Sequence, residues 1–297
     1  MHVSIIKRWI FSSLTLVSFS SYTLAHPVTE LAIDLENQHG GQIGIAVLDT
    51  ADQSLWHYRG NTRFPLMSTF KTLACAKLLA GVDQQKQQLN TESMIEKALL
   101  VTYSPVTEPM AGQTITLGQA CEATMTTSDN TAANIVLAGI GGPQTLTEFL
   151  RATGDTVTRL DRIEPELNEA HPGDKRDTTT PLAINNTLNQ LILGNTLSDG
   201  SRAQLKTWMM ANQVAGNLLR SILPADWSIA DRSGAGGNGS RGITAITWSH
   251  RRPPLIISIY MTGTNASLEE RNRMVVKIGQ VIFSHFGVQQ EAAIKAS

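Results

Sequence analysis

Four short groups of residues, in fixed order, could together carry one kind of chemistry. Ser68-Thr69-Phe70-Lys71 sets a hydroxyl three residues before an amine, which on a helix puts both on one face. Ser128-Asp129-Asn130 adds a second hydroxyl and an amide. Glu164-Pro165-Glu166-Leu167-Asn168 adds carboxylates and another amide, and Arg232-Ser233-Gly234 a cation beside a third hydroxyl. Acyl transfer through a serine ester needs such a set: a nucleophile with an amine to ease its ionisation, a proton relay, a base for the hydrolytic water and an anchor for an anionic substrate. Each group alone is weak. Chance gives a Ser-x-x-Lys about once in a chain of this length, and Ser4-Ile5-Ile6-Lys7 is one such accident. Ser-Asp-Asn also suits an ordinary turn or helix cap, a lone glutamate suits a solvated loop, and Arg232 a solvent-facing strand.

The four groups in this order resemble those of the class A β-lactamases. Tyr103, Gly141-Gly142-Pro143 and Asp177-Thr178-Thr179-Thr180-Pro181 extend the likeness over nearly all of the mature chain. The resemblance implies that Ser68 is the nucleophile, Lys71 its neighbouring amine and Ser128 the donor to the departing lactam nitrogen. It implies that Glu164 and Asn168 orient the deacylating water, leaving Glu166 without a catalytic role. The Ser68 and Ala235 N–H groups would form the oxyanion hole. Asn130, Tyr103, Ser233, Gly234 and Arg241 would line the substrate site, and Arg162 and Asp177 would close an Ω-shaped loop over 162–177. Asp129 would hold its own loop together. Neither metal nor organic cofactor is implied.

The third box departs from the usual Lys-Thr-Gly. Ser233 keeps the hydroxyl, but Arg232 stays charged at any ordinary pH and presents a planar fork suited to a carboxylate. Arg followed by Ser or Thr and Gly resembles the carbenicillin-hydrolysing subgroup. Two rival readings are a penicillin-binding transpeptidase or carboxypeptidase, and a sensor that is acylated without turnover. The first lacks the Glu-x-x-Leu-Asn loop, so Glu164 and Asn168 argue against it. The second resembles a different serine β-lactamase class and is tethered to membrane signalling segments, which are not expected here.

These residues need a frame. Pro65 suggests a helix starting near Leu66 or Met67, with Ser68 in its first turn, where free N–H groups favour developing negative charge. A short helix over 28–37 ends at Gly40-Gly41, and strands are expected over 43–48 and 54–58. Capping boxes at Thr116-x-x-Gln119 and Thr145-x-x-Glu148 each open a helical run, the second stopping at Gly154. Strands return over 243–248 and 255–261 around a turn at 251–254. Ser267-x-x-Glu270 then caps a last helix with Met274, Val275, Ile278, Val281, Ile282 and Phe286 at helical spacing. The expected class is α+β: an antiparallel sheet (26–66 with 213–297) covered by terminal helices, a helical domain (67–212) inserted between, and a cleft where they meet.

Composition narrows the setting. The chain has 297 residues and a formal net charge of −1 with scattered basic residues, which disfavours nucleic acid as a partner. Lys7 and Arg8 precede an apolar run over 9–19, too short to span a bilayer, and Thr23-Leu24-Ala25 offers a cleavage site. The first 25 residues therefore read as a secretory signal, cut after Ala25, with a periplasmic destination and no membrane anchor thereafter. The expected partner is a small β-lactam met by a monomer. The two cysteines, Cys75 and Cys121, would pair as a disulfide in an exported protein, the alternative being two buried thiols. Neither has a metal-binding context.

Overall fold

The computed structural model describes residues 26–288, so the signal segment and its cleavage site lie outside the described residues. The first helix, α1 (Pro27–His39), starts with a proline in its first turn, where a missing N–H costs nothing. His26 caps it by accepting a hydrogen bond from Val28 N at 3.3 Å. It is followed by the hairpin β1 (Gln42–Asp49) and β2 (Ser54–Tyr58).

Three late strands complete the sheet: β7 (Trp227–Ala235), β8 (Arg241–Ser249) and β9 (Arg252–Thr262), in the antiparallel order β2-β1-β9-β8-β7. The central strands are buried without alternation because both faces are covered. Ile43, Ile45, Val47, Ile257 and Ile259 pack beneath α1 and the last helix, α8 (Leu268–His285). Leu48, Ile246, Ile256 and Tyr260 meet the helical part on the opposite face.

That part is built around α2 (Phe70–Asp83), which is buried along nearly its whole length. Around it lie α3 (Leu117–Thr126), α4 (Asn130–Gly139), α5 (Gly142–Ala152) and α7 (Asp199–Met210), while α6 (Pro181–Ile192) packs against α7 and the strands β1 and β9. Two small ladders join its loops: β3 (Phe64–Pro65) with β6 (Thr178–Thr179), and β4 (Glu92–Met94) with β5 (Thr114–Thr116). The expected disulfide links Cys75 on α2 to Cys121 on α3, with Cα atoms 5.7 Å apart. Closing a loop of that length in the unfolded chain is worth about 4 kcal/mol on the chain-entropy model.

The capping boxes at Thr116 and Ser267 form as expected. The one at Thr145 does not. α5 begins four residues earlier, with Gly141 as its N-cap at φ +94° and Pro143 in the first turn, and Thr145 Oγ1 donates to Gly141 O at 3.0 Å. A Gly-Gly-Pro sequence supplies both the left-handed cap and the preset φ, and so outcompetes the hydroxyl. The turn expected over 251–254 is also shorter. Ser249 pairs with Arg252, and β9 takes in Pro253 and Pro254 at its outer end, where strands tolerate proline.

Candidate active site

The chain enters the site from β3. Met67 adopts φ +50°, and a 3-10 turn over Met67–Thr69 leads into α2. Ser68 therefore sits half-buried at the amino end of a buried helix, and Lys71 lies one turn on. Met67 and Ser68 pack against β7 so closely that a Cβ on Gly234 would stand 2.6 Å from Ser68 N. Ala235, next along β7, is exposed toward the cleft.

Lys71 is fully buried, and its polar partners come from the loops that carry Ser128 and Glu164. Its Nζ donates to Ser128 O at 2.9 Å, to Ser128 Oγ at 3.2 Å and to Asn130 Oδ1 at 2.6 Å. It also stands 3.2 Å from Glu164 Oε1, an ion-pair contact without hydrogen-bond alignment. Burial lowers its pKa to about 8; the Glu164 charge opposes that shift and Arg232 reinforces it. Ser128 Oγ in turn donates to Ser68 Oγ at 3.2 Å. Ser128 holds φ +66°, and its loop is pinned by Asp129, whose carboxylate accepts from Val106 N, Thr107 N, Thr107 Oγ1 and Ala132 N. Asn130 Nδ2 donates to Thr102 O at 2.8 Å, and Asn130 N donates to Tyr103 O at 3.0 Å. The Tyr103 ring is left exposed at the rim.

The two glutamates of the acidic loop separate cleanly: Glu164 is buried and Glu166 points to solvent. Asn168 Nδ2 donates to Glu164 Oε2. Glu164 Oε1 and Asn168 Oδ1 are buried acceptors with no donor among the described residues. Arg162 Nε donates to Asp177 Oδ2 at 2.6 Å, while Asp177 Oδ1 accepts from Asp161 N and Arg162 N, so the loop is clamped at its base. At its far side, Gly237 N donates to Asn168 O at 2.8 Å, joining the loop to the end of β7.

On the other wall, Arg232 is buried, with Nε donating to Ser68 O at 3.3 Å and Nη1 to Met125 O at 3.1 Å. Arg241, facing Ala235 across the β7–β8 pair, donates to Gly234 O at 2.9 Å and Asn272 Oδ1 at 2.8 Å. Burial brings each guanidinium down to about 10, so both remain charged at neutral pH. Neither makes an ion pair among the described residues. Ser68, Tyr103, Ser128, Asn130, Asn168, Arg232, Ser233, Gly234, Ala235 and Arg241 all border one cleft of about 480 Å3.

Comparison with known proteins is decisive at this point, because a family model described as the beta-lactamase enzyme family matches residues 26–286. The chain belongs to that family. This β-lactamase is 56% identical over 273 residues to Beta-lactamase PSE-4 of Pseudomonas aeruginosa, covering 92% of this chain and 95% of that protein. It is 50% identical over 242 residues to Beta-lactamase AER-1 of Aeromonas hydrophila, covering 81% and 80%. The crystal structure of the chromosome-encoded β-lactamase of Vibrio parahaemolyticus matches with a TM-score of 0.87 at 52% identity, covering 88% of this chain and all of that one. An ancestral class A β-lactamase matches with a TM-score of 0.85 at 47% identity, covering 87% and 100%. The enzyme is thus a class A serine β-lactamase.

Three supports of the site in this β-lactamase lie outside the four sequence motifs. Asn134 holds the Glu164 peptide from both sides: its Oδ1 accepts from Glu164 N at 2.9 Å and its Nδ2 donates to Glu164 O at 2.8 Å. It lies four residues after Asn130 on α4, a spacing that shares a helix face and could have flagged it. Asn272 orients Arg241 from α8. Asn212 reaches Arg232 from beyond the end of α7, with no motif to mark it.

Proposed function

We propose that this β-lactamase hydrolyses penicillins, including carboxypenicillins, through an acyl-enzyme on Ser68. The observation that carries the reading is the unbroken chain of polar contacts from Glu164 through Lys71 and Ser128 to Ser68 Oγ. Ser68 Oγ attacks the lactam carbonyl, and its proton leaves along that chain. The carbonyl oxygen gathers negative charge between the Ser68 and Ala235 N–H groups, donors worth about 3 to 4 kcal/mol each in such sites. The C–N bond then breaks, and Ser128 supplies the proton taken by the ring nitrogen. In the second half, a water donating to the free acceptors Glu164 Oε1 and Asn168 Oδ1 gives its proton to Glu164 as its oxygen attacks the ester. The ester bond to Ser68 breaks, Ser68 recovers its proton, and the penicilloate leaves.

Arg232, Ser233 and Arg241 bind the carboxylate on the thiazolidine ring, and Asn130 and Tyr103 hold the acylamino side chain. The Arg232-Ser233-Gly234 box supports assignment to the carbenicillin-hydrolysing subgroup, because two charged guanidiniums with no ion pair among the described residues favour anionic substrates. Two separate apolar cores support a division into a sheet domain (26–66 with 213–297) and a helical domain (67–212) that includes the loop at 162–177. The enzyme works as a periplasmic monomer after cleavage at Ala25. No helix among the described residues is long and apolar enough to cross a membrane. The test is hydrolysis of benzylpenicillin and carbenicillin followed by absorbance and intact-protein mass. Rapid multiple turnover of both supports the reading, whereas a stall after one equivalent contradicts it.

A further inference from the structure

The cation that faces the substrate has a carboxylate for a sequence neighbour, yet does not pair with it. Asp231 immediately precedes Arg232 on β7 and is fully buried. Its carboxylate is held instead by Arg220, from the short 3-10 turn Leu219–Ile222. Arg220 Nε reaches Oδ1 and Oδ2 at 3.1 Å each, and Nη2 reaches Oδ1 at 2.9 Å. Arg220 is itself anchored on Met209 O at 3.0 Å, at the end of α7.

Asn212 stands between the two charges. Its Nδ2 donates to Asp231 Oδ1 at 2.8 Å, while its Oδ1 accepts from Arg232 Nη1 at 3.3 Å and from Val214 N at 3.1 Å. The charges on either side set this orientation, since a flipped amide would put its oxygen on the carboxylate and its NH2 on the guanidinium. The remaining partners of Arg232, Ser68 O and Met125 O, are neutral carbonyls. Its full charge is therefore available to the cleft.

From this arrangement we infer that Arg220 is a positioning residue for substrate carboxylate recognition: by neutralising Asp231 it keeps the Arg232 charge uncommitted. Without Arg220, a buried carboxylate next to Arg232 on the same strand has no cation of its own. Asn212 alone then separates the two charges, and Arg232 becomes the counter-ion. Arg220 touches no substrate, so its effect appears only on ligands that carry the carboxylate. The inference rests on the proposed role of Arg232 as the carboxylate anchor.

The experiment compares benzylpenicillin with its methyl ester, which has no carboxylate, using Arg220→Gln, Arg220→Lys and Arg232→Gln. Arg232→Gln tests the underlying reading: it must lower kcat/KM for the acid far more than for the ester, and equal losses refute the anchor role itself. Given that discrimination, Arg220→Gln is expected to raise KM for the acid on the order of tenfold, the margin of a charge-assisted hydrogen bond over a neutral one. The ester should change less than twofold, and Arg220→Lys should recover most of the loss. Equal effects of Arg220→Gln on both substrates, or none on either, overturn the inference. The double variant Arg220→Gln/Asp231→Asn guards against a defect of folding alone. Removing the orphaned carboxylate should restore the preference for the acid, whereas a purely structural role for Arg220 predicts no recovery.

Discussion

In the proposed mechanism the loop that carries Glu164 and Asn168 activates the hydrolytic water, and adding one methyl at Gly236, which lies against that loop, gives a measurable test. A Cβ on Gly236 would stand 2.8 Å from Asn168 O and 3.2 Å from Met67 Cγ. The first contact is about 0.6 Å short of ordinary van der Waals separation. Asn168 O is backbone and already accepts from Gly237 N, so it cannot yield like the end of a side chain. The loop must shift outward, carrying Asn168 and with it the hydrogen bond to Glu164. A displacement approaching 1 Å in a positioning group costs on the order of 100-fold, so Gly236→Ala should slow hydrolysis of the acyl-enzyme by about 10- to 100-fold. In the proposed mechanism acylation uses Lys71 and Ser128 beside Ser68, none of them carried by the loop, and should fall by less. Stopped-flow acylation with benzylpenicillin and quenched-flow decay of the adduct separate the two steps. If both rates stay within twofold of the parent, the loop does not depend on the missing side chain and the reasoning fails.

Two further perturbations follow from buried charge. Arg162→Ala strands Asp177, whose side chain is only 1% exposed, and should cost about 3 kcal/mol in urea unfolding while weakening deacylation more than acylation; an unchanged midpoint would contradict it. Lys71 titrates lower in the fold, at about 8, than its ordinary 10.5. Between those values the unfolded chain binds a proton that the folded one has lost, so stability rises with pH across that window. The rise should be absent from Lys71→Met, and equal slopes for the two proteins would show that Lys71 does not titrate there.

Much of this was legible in the sequence because it is local. Ser68 and Lys71 share a helix face by spacing alone, and the Glu-x-x-Leu-Asn frame selects Glu164 over Glu166, a choice matched by their burial. The doubly buried strands read as apolar runs, and two of three capping boxes name true helix starts. At Thr145 a stronger local signal, Gly141-Gly142-Pro143, sets the helix start instead. What stayed hidden depends on tertiary proximity. Nothing in the spacing of Asn212, Arg220 and Asp231 says that they meet, although an aspartate beside an arginine within a buried strand is a signal that such charges must find partners. The φ of +50° at Met67 is likewise imposed by packing against β7 rather than written in a glycine.

The central claim is that hydrolysis of the acyl-enzyme depends on Glu164 as its general base. Glu164→Gln keeps the size of the side chain and removes its basicity. Mixed with benzylpenicillin, the parent should turn over many equivalents and show only free enzyme by intact-protein mass. The variant should consume about one equivalent rapidly and then hold an adduct on Ser68, its turnover lowered by roughly 100- to 10,000-fold, the range for losing a general base. A variant that turns over at the parent's rate, or that never forms the adduct, would contradict the account.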